Sequence, residues 1–164
     1  VENLSPRSFD GCSTITALSI EEGNKDYKSI DGNLYTKDCN TILFYALGKN
    51  DSSFTIPNTV TTIGDGAFAN CHTLKSVTIP NSVTSIGGSA FYNCYNLTSV
   101  VIPDSVTIIG SSAFEVNQLT SVEIPDTIED LPVYVVEASA FESSDISSVN
   151  WVNLSKENFN LTAA

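Results

Sequence analysis

The chain has 164 residues, 41 % of them hydrophobic, enough to bury a core and too many for a disordered chain. Nineteen Asp and Glu against seven Lys and Arg leave a net charge of −12, which opposes binding to nucleic-acid phosphates and anionic membranes. No apolar run reaches the roughly eighteen residues of a spanning helix, so no membrane insertion is expected. The chain starts at Val1 and lacks Met, which fits a processed chain or an excised fragment.

In chain order, Phe9 and then Ile15, Leu18 and Ile20 open a pattern that later recurs. The period breaks over residues 21–53. There, YKSI and NLYT flank Asp31-Gly32, a dipeptide suited to a tight hairpin turn. Thr41 to Tyr45 reads as a further strand, with residues 37–40 as its connecting turn. The expectation is a small antiparallel excursion replacing the back half of one coil, in a structural or capping role.

The repeat is plainest from Leu74 onward. LKSVTIPNSVTSIGGSAFYNCYN is followed by LTSVVIPDSVTIIGSSAFEVNQ from Leu97 and LTSVEIPDTIEDLPVYVVEASAFESSD from Leu119. Six rungs align. Their anchors are Ile15, Asp51, Leu74, Leu97, Leu119 and Ile146, and Asp51 stands where Leu is wanted. Three residues on come Leu18, Phe54, Val77, Val100, Val122 and Val149. Two further come Ile20, Ile56, Ile79, Ile102, Ile124 and Trp151. Pro57, Pro80, Pro103 and Pro125 follow. Val60, Val83, Val106 and Ile128 come next, then Ile63, Ile86, Ile109 and Leu131. Phe9, Phe68, Phe91, Phe114 and Phe141 close the turns.

A unit of this size cannot bury its own apolar face, so copies must stack into a continuous core. The V-x-I spacing is strand periodicity with both side chains inward. Pro after the strand has no N–H and ends the ladder without wasting a donor. The recurrent Ile-Gly at Gly64, Gly87 and Gly110 predicts a positive φ or a close backbone approach. Small residues before each Phe (Ala67, Ala90, Ala113, Ala140) let neighbouring coils approach. Six rungs at about 4.8 Å give a stack on the order of 25–30 Å. The tail at 152–164 is a candidate cap, with Trp151, Leu154, Phe159 and Leu161 as apolar contacts. A chain cut from a longer array is the other possibility.

The pattern LxxVxIPxSVxxIGxxAFxxC, and the stretch DYKSIDGNLYTKDCNTILFYALGK, resemble the BspA-like class of leucine-rich repeats over nearly the whole chain. The resemblance implies an α/β-type repeat solenoid dominated by β. In detail this is a right-handed leucine-rich repeat solenoid with one parallel sheet of about six short strands and a small β-hairpin insertion. Residues 1–164 are then one domain. The resemblance also implies a bacterial or protist surface or secreted protein, extracellular or at the cell surface, associated with adhesion to host proteins or other cells. It defines no catalytic or binding residues. The pattern's Cys is kept at Cys12, Cys71 and Cys94. After Phe114 the turn reads as one residue shorter, with Val116 a loose replacement.

Candidate sites are few. No catalytic, cofactor or metal set assembles: the one His, His72, has Ser13 and Tyr95 as register equivalents and reads as a surface residue on a variable turn. No nucleophile elbow or ordered triad accompanies the many serines. The acidic group Glu123, Asp126, Glu129 and Asp130 offers oxygens for calcium but lacks the EF-hand spacing and its central Gly, and it reads as an acidic solvated edge. Tyr92, Tyr95 and Tyr134 fall on turns as partner contacts.

The outward rows of the strands are the candidate interaction face: Ser53, Lys75, Ser76, Thr78, Thr98, Ser99, Val101, Thr120, Ser121, Glu123 and Ser148. Two readings fit these rows. They form a flat hydrated face for a glycan, a host extracellular-matrix protein or another cell-surface protein, bound weakly and by avidity. Alternatively, Ser and Thr simply suit closely stacked strands, and the chain is a spacer. The cysteines carry one further expectation. Cys71 and Cys94 stack on adjacent coils at about 4.8 Å, beyond the roughly 3.8 Å between Cβ atoms of a disulfide, so both are expected reduced and buried. Cys39, in a hairpin turn, is expected to be reachable.

Overall fold

The computed structural model describes residues 4, 8–9, 11–115, 117–119, 121–124, 135–136 and 148–151. Among the described residues twelve short strands form two sheets, and there is no helix. The first sheet comprises β4 (Ser53–Thr55), β6 (Ser76–Thr78), β8 (Ser99–Val101), β10 (Ser121–Ile124) and β12 (Ser148–Trp151), stacked in chain order. All its neighbours are parallel: Phe54 pairs with Val77, Val77 with Val100, Val100 with Val122 and Val122 with Val149. These are the expected middle anchors, in register across all five strands. The longer third block therefore places its extra residues in the return path and leaves the strand register intact.

The second sheet was not expected. It runs β1 (Tyr27–Ile30), β2 (Asn33–Thr36), β3 (Thr41–Phe44), β5 (Thr62–Ile63), β7 (Ser85–Ile86), β9 (Ile108–Ile109) and β11 (Val135–Val136). The coils of β4, β6, β8 and β10 each contribute one strand to each sheet. The described parallel sheet has five of the about six strands expected, because residues 15–20 of the first rung carry no strand. Instead Ile15 C=O accepts from Gly48 N–H at 2.7 Å, and Leu18 N–H donates to Gly32 C=O at 2.8 Å. The rung is held against the hairpin by isolated bonds in place of a ladder.

The insertion folds partly as expected. β1 and β2 are antiparallel about the Asp31-Gly32 turn, where both residues have positive φ, and β3 returns antiparallel to β2. But β3 then pairs parallel with β5, Ile42 against Ile63. The segment is the start of the second sheet, and more than an excursion from it. Lys49 fastens it: its ammonium donates to Asp31 C=O and, at 3.2 Å, to Asn33 Oδ1, and lies 5.4 Å from the centre of the Tyr45 ring.

The core lies between the sheets. Leu74, Leu97, Leu119, Val77, Val100, Ile56, Ile79, Ile102, Val60, Val83, Val106, Ile63, Ile86 and Ile109 are all buried, as the pattern requires. The ladder continues through Ile56, whose N–H donates to Thr78 C=O at 3.1 Å, and stops at the prolines. Pro57, Pro80 and Pro103 then open a turn by accepting from Val60, Val83 and Val106. Gly87 and Gly110 serve close approach, because neither has a positive φ. A Cβ on Gly110 would lie 2.5 Å from Gly88 N, and one on Gly87 2.7 Å from Asp65 N. The aromatics form a column: Tyr45 on Phe68 at 5.3 Å, Phe68 on Phe91 at 4.9 Å and Phe91 on Phe114 at 5.1 Å.

Three register assignments change. Tyr45 heads the aromatic column, whereas Phe9 stacks on Phe44 at 4.6 Å. Val136, not Leu131, pairs with Ile109. Asn117, not Val116, occupies the Cys position. It is buried, and its Nδ2 donates to Phe91 C=O at 3.1 Å, as Cys94 Sγ donates to Phe68 C=O at 3.1 Å. The proposed cap at 152–164, with Asp126, Glu129, Asp130, Leu131, Tyr134, Phe141 and Val116, lies outside the described residues.

Phe91 is fully buried between two stacked rings. Phe91→Ala is expected to lower the unfolding free energy by about 3–5 kcal/mol, read from urea denaturation.

Candidate functional site

The strand face is built by alternation. In β6 and β8 the middle residue is buried and its two neighbours are exposed, so side chains one rung apart stand above one another on the outside. Ser53, Lys75, Ser76, Thr78, Thr98, Ser99 and Val101 are all exposed. Strand pairing sets Ser53, Ser76, Ser99, Ser121 and Ser148 in one row, and Thr55, Thr78, Val101 and Glu123 in another. For Ser121, Glu123 and Ser148 the register of the backbone is described. Thr120 lies outside the described residues.

Hydroxyls elsewhere have another task. Ser82 and Ser105 donate to Val60 and Val83 C=O at 2.7 and 2.6 Å. Thr84 and Thr107 donate to Thr61 and Thr84 C=O at 3.2 Å. Each bond joins one coil to the next. The return path therefore uses these Ser and Thr as stitches, while the outward Ser and Thr of β4, β6 and β8 are exposed.

A second set of side chains lies on the turns before the strands. Tyr92 and Tyr95 are 36 % and 44 % exposed, so the expected turn placement holds for both. His72 is half-buried, a correction to its reading as a plain surface residue, because it stacks on Tyr95 at 4.1 Å. The sequence reading missed the asparagines beneath. Asn70 and Asn93 both have left-handed φ, 62° and 56°, a conformation Asn tolerates better than most residues. Asn93 Nδ2 donates to Asn70 Oδ1 at 2.9 Å. The signal was present: Asn precedes Cys in both AFANC and AFYNC.

The anchor anomaly at Asp51 also resolves. Tyr45 is buried and its hydroxyl donates to Asp51 Oδ2 at 3.0 Å, so a carboxylate is wanted there. Burial, and then this bond, push the Tyr45 phenol well above its usual value. Burial pushes Tyr35 up to about 12.

No His, Cys, Asp and Glu gather into a metal-binding group among the described residues. No helix there is long and apolar enough to cross a membrane.

The BspA type leucine rich repeat family model matches residues 37–162 in six copies, and the chain belongs to that family. It is similar to a leucine-rich repeat protein from Eubacterium ventriosum, at 31 % identity over 68 % of this chain and 30 % of that one, with a TM-score of 0.66. It is similar to a leucine rich cell surface protein from Faecalibacterium prausnitzii, at 29 % identity over 87 % and 43 %, with a TM-score of 0.63. It is also similar to the pneumococcal vaccine antigen PcpA, at 26 % identity over 73 % and 35 %, with a TM-score of 0.58. The chain thus spans less than half the length of these relatives. Comparison with curated proteins gives no match.

All four cysteines are free, Cys71 and Cys94 buried as expected and Cys12 and Cys39 partly exposed. Burial raises the Cys71 and Cys94 thiols, which keeps them protonated and inert. Cys12 and Cys39 are expected to label rapidly in native protein with a thiol reagent, and Cys71 and Cys94 only after denaturation. Mass detection of a Cys71–Cys94 bridge would contradict the packing.

Proposed function

We propose that residues 1–164 form a single non-catalytic recognition domain, displayed outside the cell or on its surface, that meets its partner through the strand face. The observation that carries this reading is the set of exposed, in-register rows on β4, β6 and β8. A flat face of short hydroxyl side chains suits a glycan, an extracellular-matrix protein or another cell-surface protein. The similarity to a cell surface protein and to a vaccine antigen supports the location. The charge of −12 argues against nucleic acid.

Affinity per copy is low in this reading. The face carries none of the Trp, Tyr or Arg side chains that dominate binding energy at interfaces. Display of many copies supplies what the single face lacks, by raising the effective concentration of the second contact. The same scarcity of anchors favours a second reading, a spacer that presents other parts of a longer protein.

The two readings separate in one experiment. Monomeric and bead-arrayed protein are tested against a panel of matrix proteins and glycans. Arrayed protein is expected to bind about a hundredfold or more tighter than monomer. Replacing Ser76, Ser99 and Ser121 with Lys is expected to abolish array binding. Submicromolar binding by the monomer contradicts the avidity argument, unchanged binding by the triple variant removes the strand face, and silence across the panel leaves the spacer.

A further inference from the structure

We propose that the turn at residues 92–96 is a second interaction surface, built for a cationic, Arg- or Lys-bearing segment of a partner protein. The large exposed hydrophobics among the described residues are Tyr92, Tyr95, Val101 and Ile108. Val101 and Ile108 each stand in rows otherwise filled by Ser and Thr at β4 to β8. The tyrosines differ: both belong to one turn, three residues apart.

That turn is rigid before any partner arrives. Asn70 N–H donates to Tyr92 C=O at 2.8 Å, and Asn93 N–H to Glu115 C=O at 2.9 Å. The Asn93–Asn70 side-chain bond and the bond from Asn96 Nδ2 to His72 C=O bind it to the preceding coil. Tyr95 rests on the His72 ring, interplanar angle 25°. An aromatic side chain held this way loses little freedom on binding.

Charge selects the partner. The chain has no Lys or Arg between Lys75 and Lys156. Lys75, on the preceding coil, is the cation nearest this turn in register, and its carbonyl accepts from Thr98 N–H. The same ladder sets Glu115 one rung beyond Tyr92. Aromatic faces attract guanidinium and ammonium groups, and a nearby carboxylate adds to that attraction. A neutral sugar stacks on a tyrosine as well, but it gains nothing from Glu115 or from the net charge of −12. This surface is independent of the strand face, and either can fail without the other.

The test is titration of the whole chain, by isothermal calorimetry, with a short Arg-Ser repeat peptide. The same peptide with citrulline in place of Arg, and cellohexaose, serve as neutral probes. The Arg peptide is expected to bind, and the neutral probes to bind at least about tenfold more weakly. Tyr92→Ser with Tyr95→Ser is expected to weaken Arg-peptide binding about tenfold. Tyr92→Phe with Tyr95→Phe, which keeps both rings, is expected to retain it, as is Ile108→Ser. Near-wild-type melting temperatures establish that the variants fold. The proposal is overturned if the wild type ignores the Arg peptide, if citrulline or cellohexaose binds equally well, if the ring-keeping variant loses binding, or if the Ser variant binds like the wild type.

Discussion

Each coil must present the same side chain, at the same place, to the coils on either side of it. Everything else in the structure depends on that register. The aromatic column shows it most directly: Tyr45, Phe68, Phe91 and Phe114 lie 5.3, 4.9 and 5.1 Å apart, close to the roughly 4.8 Å between neighbouring strands. Rings spaced by the backbone repeat stack without adjustment. The alanines before Phe68, Phe91 and Phe114 are fully buried, and their carbonyls accept from the aromatic residue of the preceding coil.

The same register builds the surface. Because the coils stack in register, their outward positions align too, and the Ser and Thr at those positions form rows on the strand face. Rows that face the return path are absorbed as stitches between coils. The rows on β4, β6 and β8 stay in water, and the turn at 92–96 carries the exposed rings.

Much of this was legible in the sequence. The V-x-I spacing located β4, β6, β8, β10 and β12, and Asp31-Gly32 located the hairpin turn. The second sheet was hidden because its strands are two residues long from β5 onward, and a pair such as Thr62-Ile63 shows no alternation. Asp51 read as a defect because its partner, Tyr45, had been placed in the insertion and not in the column. Asn117 was passed over because an amide does not look like a thiol, yet both donate to the carbonyl of the preceding coil's Phe. Val136 was missed because the extra residues of its coil lie between β10 and β11, where counting from the strand fails. As for the candidate site, the alternation located the exposed residues of β4, β6 and β8. It did not show which hydroxyls the fold consumes, since that depends on carbonyls in the neighbouring coil.

Register is tested most directly by removing one coil. Deleting residues 77–99 joins Ser76 to Val100 and restores the reading LKSVVIPDSV, one whole period shorter. Amide hydrogen exchange is expected to show the remaining strands protected and the chain cooperatively folded, as a stack of nearest-neighbour units allows. Deleting residues 77–88 removes about half a period and is expected to abolish that protection. Equal protection in both deletions, or loss of protection in the whole-period deletion, would contradict the central place given to register.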